Sequence, residues 1–302
     1  MSRSTNGQMA GPGSGLSPNL RGALLMMGSM AAFTINDACV KLVGQEVPLF
    51  QLIVIRGALT TTWVFLLARY MGALRVSFDR GDWGLIGLRC LSEVGATYFF
   101  LTALMHMPLA NVTAVLQVLP LTVTLGAALF FGEKVGWRRL LAIGFGFCGM
   151  LLIVRPGPEG FSLYSGYALG AVCCVTFRDL ITRRMGPHVP SMTVTLATAV
   201  SVTLASGLAS TTVEWVPMSP RLGLLILAAS GFVLLGYLLS VAVMRVGEVS
   251  FIAPFRYTSL VWALLLGWLI FSDWPDPVTM TGAAIVVATG MFTLFRERQI
   301  SG

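Results

Sequence analysis

Seven ionisable side chains stand inside otherwise apolar runs of this 302-residue chain: Arg56, Arg89, Arg178 and Arg256 against Asp37, Glu93 and Asp179. A charge in such a run is costly to bury and marks a substrate contact, a proton relay or a structural ion pair. Four cations against three acids leave one surplus positive charge. Glu93 lies deepest in its run. Arg89 precedes it by one turn on the same helical face, so the two can pair at i, i+4. Glu93 therefore reads either as half of an internal salt bridge or as a proton carrier or substrate contact. Arg256 follows Pro254, which removes a backbone hydrogen bond and loosens a helix locally. Its planar fork could grip a carboxylate or a pair of carbonyls, or its stem could snorkel to an interface. Asp37 and Arg56 flank a short connection and read as a gate or as a structural bridge. Arg178 and Asp179 lie one turn from the end of a run, and Arg178 reads as an interfacial anchor. Asn36, Tyr98, Gln117, Tyr237 and Tyr257 could complete a cavity around these charges.

The elements that must position them are membrane helices. Hydrophobic residues make up 56% of the chain and charged residues 11%, against about 25% charged in a soluble domain. Ten runs approach the roughly 20 apolar residues a spanning helix needs. The first five are Arg21 to Val43, Pro48 to Tyr70, Trp83 to His106, Leu109 to Phe131 and Arg138 to Val154. The second five are Phe161 to Thr182, Pro190 to Ser210, Arg221 to Met244, Val249 to Phe271 and Pro277 to Phe295. They are too long and too uniformly apolar for barrel strands, and helices satisfy their own backbone groups in lipid. The expected fold is an all-α membrane protein of ten transmembrane helices. Residues 1–20 read as a disordered tail, rich in Gly and Ser and without the apolar segment of a signal peptide.

The formal charge of +7 does not point to nucleic acid, because the cations fall in short gaps between apolar runs. With the N-terminus cytoplasmic, thirteen Lys and Arg lie on the inner side, Arg3, Arg75, Lys134 and Arg245 among them. Only Lys41, Arg155 and Arg221 lie outside. The excess places both termini in the cytoplasm. The five cysteines form no CxxC pair, and His106 and His188 sit at run ends, so neither a metal site nor a disulfide framework is expected. No cofactor is implied. No phosphate loop, HExxH or nucleophile–base set appears. The one GxSxG-like string, Gly11 to Gly15, lies in the tail, away from the strand–turn–helix setting such a motif needs. The chain does not read as an enzyme.

The chain repeats itself. At one offset Asp37 falls on Asp179, Lys41 on Arg183, and Val47-Pro48 on Val189-Pro190; at another, three residues shorter, Tyr98 falls on Tyr237 and Ala103 on Ala242. The repeats are residues 21–154 and 155–302. Five helices is an odd number, so the second repeat enters the bilayer from the opposite side, giving two inverted-topology five-helix repeats. Equivalence also suggests that Tyr98 and Tyr237 face each other across the axis.

With that repeat and helix count, the chain resembles the drug/metabolite transporter superfamily, in its ten-helix EamA-type branch. A local pattern adds to the resemblance: Leu119-Pro120 followed by Phe131-Gly132-Glu133-Lys134, with a degraded copy at Ser272-Asp273. The resemblance implies a carrier in the bacterial inner membrane that works without ATP hydrolysis. Members move amino acids, vitamins and other metabolites, inward or outward. A surplus arginine with several tyrosines suits a planar, hydrogen-bonding or anionic substrate, and riboflavin uptake is the first candidate. Export of amino acids or other metabolites is the alternative. A membrane-embedded enzyme or scaffold is the rival of another class. The expected partners are a small-molecule substrate and the lipid bilayer, with pairing into a homodimer left open.

Overall fold

A computed structural model describes residues 17–70, 72, 79–133, 135–155, 162–186, 188–243, 246 and 249–301. Arg3, Arg75, Lys134 and Arg245 of the charge count, the Gly11 to Gly15 string and Met244 lie outside these residues. The first half comprises α1 (Pro18–Val43), α2 (Leu49–Tyr70), α3 (Arg80–His106), α4 (Leu109–Leu116), α5 (Leu119–Phe131) and α6 (Trp137–Val154). The second comprises α7 (Leu163–Arg184), α8 (Ser191–Ser210), α9 (Pro220–Val243), α10 (Val249–Ile252), a 3-10 segment Ala253–Tyr257, α11 (Thr258–Phe271) and α12 (Pro277–Ser301). Eight segments are long and apolar enough to cross a bilayer, with α4–α5 taken as one and the 3-10 segment joined to α11. The charged α7 and α12, whose apolar stretch is Pro277–Thr293, complete the ten.

Helix α1 starts inside the expected tail. Ser17 caps it, accepting from Leu20 N at 3.3 Å, and Pro18 takes the first turn, where its missing N–H costs nothing. The fourth and ninth runs, expected as single helices, are broken, each at a proline. Pro120 cannot donate to the carbonyl of Leu116, and the chain tightens at Gln117 and Val118 before α5 begins. Pro254 does the same in the second half, where the backbone narrows to a 3-10 turn.

The two halves meet about a pseudo-two-fold axis. Helix α1 packs on α9 and α3 on α7, which are equivalent pairs; α2 packs on α8 and α6 on α12, each helix against its own counterpart. Two side-chain contacts cross between the halves near the axis. Thr61 and Thr203, equivalent positions 142 apart, have hydroxyls 3.3 Å apart. Gln117 Nε2 donates to Ser259 Oγ at 2.8 Å, close to the counterpart that the matching helix ends give it. Equivalent residues touch each other only where the axis passes between them.

The Gly-Glu pattern and its copy have a structural meaning. Gly132 ends α5 with φ 68°, and Glu133 N donates to Ala127 O at 3.4 Å. Ser272 ends α11 with φ 55°, and Asp273 N donates to Gly267 O at 3.0 Å. Both ends close in the same left-handed cap, which turns the following acid back along the helix end. Glycine adopts that backbone freely, whereas Ser272 pays a small steric penalty for it. Below, the face from which α1 starts is the near face and the opposite one the far face.

Candidate functional site

A cavity of about 440 Å³ lies in the middle of the molecule, walled by α1, α2 and α3 from the first half and α7, α8 and α9 from the second. Arg56, Arg89, Glu93 and Arg178 reach it, so three guanidinium groups face one carboxylate. Thr60, Thr97, Thr195 and Thr198 add hydroxyls, and Phe33, Val202 and Val233 give it apolar wall. Arg56 and Thr60 are one turn apart on one face of α2. Arg89 and Glu93 are likewise one turn apart on α3. The cavity is thus polar on two walls and apolar between them.

The ion pairs differ from the expected ones. Glu93 pairs across to Arg178 at 3.3 Å, and Arg178 also pairs with Asp179 at 2.8 Å. The reason is that α3 and α7 run side by side, so the guanidinium of Arg178 falls between the two carboxylates. Arg178 is therefore a network member and not an interfacial anchor. Arg89 is left beside the network. Its Nε donates to Thr182 Oγ1 at 2.9 Å, and it feels Glu93 only through space. The expected contact between Asp37 and Arg56 is electrostatic as well: among the described residues no carboxylate oxygen lies within 4 Å of Arg56. Asp37 instead accepts from Asn36 Nδ2 at 2.9 Å, and neither residue lines the cavity.

Three buried polar atoms on these walls have no hydrogen-bond partner among the described residues: Arg56 Nε, Thr60 Oγ1 and Arg89 Nη1. A buried donor without an acceptor costs about 1–3 kcal/mol. Guanidinium nitrogens only donate. With three arginines and one glutamate on its walls, the cavity offers more donors than acceptors and suits acceptor oxygens or nitrogens.

Other expected site residues lie elsewhere. Arg256 lines a separate recess of about 170 Å³ with Arg139, Arg183, Glu133 and Asp179. Gln117 is spent on the axis, holding Ser259 and, at 3.4 Å, the carbonyl of Tyr257. Tyr257 is 6% exposed and outside the cavity. Tyr98 and Tyr237 do not face each other. Tyr237 lines the cavity and its hydroxyl is 2.7 Å from Thr195 Oγ1. Tyr98 stacks on Phe50 with ring centres 6.0 Å apart and meets Tyr167 edge-on. Inversion accounts for this: equivalent positions lie at equal depths from opposite faces, so only residues near the midplane can meet. The four threonines were missed. The spacing of Thr60, one turn after Arg56, was the available signal. Among the described residues no cluster of His, Cys, Asp and Glu could hold a metal ion.

The profile of the EamA-like transporter family matches residues 20–155 and again residues 163–295. The chain belongs to the EamA-like transporter family. Two copies of one unit on a single chain agree with the axis described above. Among curated relatives, a pseudopaline exporter of Pseudomonas aeruginosa is 28% identical over 288 residues, covering 88% of this chain and 93% of the relative. A riboflavin transporter of Vibrio cholerae is 26% identical over 276 residues, covering 90% and 92%. An S-adenosylmethionine uptake transporter of Rickettsia prowazekii is 24% identical over 283 residues, covering 93% and 94%. A solved crystal structure shares the fold with a TM-score of 0.64 at 17% identity, over 93% of this chain and 99% of its own. This EamA-like protein is a multi-pass membrane transporter and not an enzyme.

Proposed function

We propose that this EamA-like transporter carries a small, acceptor-rich metabolite through the central cavity by alternating access, in a bacterial inner membrane with both termini cytoplasmic. The observation behind this reading is the set of three guanidinium groups, Arg56, Arg89 and Arg178, with four threonines, against the one carboxylate of Glu93 on the walls of a single cavity between both halves. Riboflavin, the compound named for the Vibrio cholerae relative, supplies ring carbonyls for such donors and a planar body for the apolar wall. Growth of a riboflavin-auxotrophic bacterium at limiting vitamin is the test. Expression of the chain should restore growth, and absence of rescue with normal protein in the membrane would remove riboflavin.

Export of an anionic metabolite is the second reading. It draws on the three arginines facing one carboxylate and on the pseudopaline exporter among the relatives. Efflux from preloaded vesicles separates the two directions. The orientation has its own check. A reporter active only in the periplasm, fused after Arg298, should be silent, and strong signal there would reverse the topology.

Glu93 is the proposed coupling group. It lies mid-span on α3 and shares Arg178 with Asp179, so neutralising it leaves that cation one carboxylate. Glu93→Gln should lose concentrative uptake in proteoliposomes with an imposed proton gradient and keep substrate exchange. Proton-driven uptake at the wild-type level by this variant would end the coupling role.

A further inference from the structure

Helices α6 and α12 are counterparts, yet the edge they form differs at its two ends. Trp137 and Pro277 begin them, 140 positions apart, the interval that also separates Phe131 from Phe271 at the matching ends of α5 and α11. By that interval Ala142 matches Gly282 and Thr289 matches Gly149. Toward the far face, Gly149 and Gly282 bring the two backbones into contact: a Cβ on Gly149 would stand 2.8 Å from the carbonyl oxygen of Gly282. Toward the near face the equivalent pair is Ala142 and Thr289. The same crossing must there accommodate a methyl group and a threonine side chain, so the helices cannot close as tightly. A recess of about 360 Å³ lies at that place.

The recess is a groove on the outer, lipid-facing side of the edge. Its walls are Leu141, Ala142 and Phe145 from α6 and Ala288, Thr289 and Phe292 from α12. Leu141, Phe145 and Phe292 are exposed. Thr289 spends its hydroxyl on its own helix, donating to Ile285 O at 2.8 Å, so the groove is apolar along its length. The one charged residue on it is Arg138, a helical turn nearer the membrane surface than Ala142. Its guanidinium stands 5.3 Å from the ring centre of Trp137. None of the ion pairs among the described residues includes it. At the far end of the same edge Val278 stands in the place of Arg138, and the acid there, Asp276, is taken up by Arg155. An excess of arginine on the near face follows from the charge rule for orientation. That rule does not account for an apolar groove beneath one of them, nor for a crossing without its glycine pair at that end.

We propose that this groove seats one anionic phospholipid, with its phosphate on Arg138 and an acyl chain against Leu141, Phe145 and Phe292. Basic pockets between membrane helices hold anionic head groups in this way. A guanidinium offers a phosphate two parallel hydrogen bonds. A lipid of net negative charge is drawn to it more strongly than a zwitterionic one, whose own ammonium offsets the phosphate. Trp137 has the amphipathic ring that sits at head-group depth. The bound chain fills the space that Ala142 and Thr289 leave open and so adds to the contact between α6 and α12. The groove shares no residue with the central cavity, so the seat does not depend on what the cavity carries.

Native mass spectrometry of the full chain in detergent tests this, with palmitoyl-oleoyl phosphatidylglycerol and phosphatidylcholine as the probes. The wild-type chain should bind its first phosphatidylglycerol about fivefold more tightly than its first phosphatidylcholine, the preference that one arginine at a lipid surface confers. Arg138→Gln should bring the two affinities together. Ala288 is exposed on the groove wall, so Ala288→Phe fills the groove from outside and should weaken both lipids; Ala288→Leu replaces it if that variant does not fold. Glycerol phosphate, the head-group phosphate without acyl chains, should not displace the bound lipid. Equal affinities in the wild-type chain, a preference that survives Arg138→Gln, or unchanged lipid binding with the groove filled would overturn the proposal. Displacement by glycerol phosphate would make the ligand a soluble phosphate and overturn it as well.

Discussion

Leucine at position 282 should leave no folded protein. Gly282 on α12 and Gly149 on α6 bring two backbones into direct contact. A Cβ built on Gly282 would stand 2.6 Å from the carbonyl oxygen of Gly149, 2.9 Å from Ile153 Cγ1 and 3.1 Å from Leu152 Cβ. The nearest of these is backbone and cannot turn aside. In lipid no hydrophobic drive holds one helix to another, and close contact between small residues supplies the association instead. Separating α6 from α12 therefore removes the contact that closes the two halves at that edge. Alanine should already cost about 1–3 kcal/mol by overpacking. Leucine adds three more carbons to the same space. The check is fluorescence-detected size exclusion in detergent, with loss of the monodisperse peak expected for Gly282→Leu. Gly144→Ala is the control, since nothing lies within 4 Å of its added carbon, and it should elute as wild type.

The fold was legible because its strongest signals are long and additive. Apolar runs, charged gaps and the repeat offset each report on many residues, and lipid leaves few other solutions. The boundaries moved by a few residues, as at Pro18 and Arg80. The breaks at Pro120 and Pro254 were visible as prolines, but not how far each would carry. The site was legible in composition and not in pairing. Arg56, Arg89, Glu93 and Tyr237 were named and line one cavity. The partner of Glu93 was misjudged because i, i+4 spacing speaks only of one helix, while the rotation of α3 against α7 sets which charge crosses. Arg256 and Tyr257 looked like site residues because the proline before them frees carbonyls. The structure resolves the loosened backbone into a 3-10 turn instead of opening it to the cavity. Tyr98 failed for a geometric reason, since sequence equivalence in an inverted repeat implies opposite depths.

Arg56 should be the residue whose loss separates ion pairing from substrate binding. Its Nε has no partner on the cavity wall, and Asp37 offsets its charge through space. Arg56→Gln leaves Asp37 facing an apolar interior alone. Removing the cation that offsets a buried carboxylate is destabilising, so this variant should accumulate less well in the membrane. Asp37→Asn in the same chain removes the stranded charge and should bring the protein level back. Transport should not come back with it. The wall would then lack the only fork that reaches the cavity from α2, and a charge-assisted hydrogen bond is worth about 1.5–3 kcal/mol, or roughly tenfold to a hundredfold in transport at low substrate. Arg56→Lys keeps the charge opposite Asp37 and loses the planar geometry. It should express normally and show a raised half-saturation constant with little change in maximal rate. Transport, normalised to protein in proteoliposomes, is the measurement. Wild-type rates in the Asp37→Asn, Arg56→Gln pair would mean that Arg56 serves only to balance Asp37, and the substrate would then have to be held by Arg89 or Arg178, the other two arginines on the cavity.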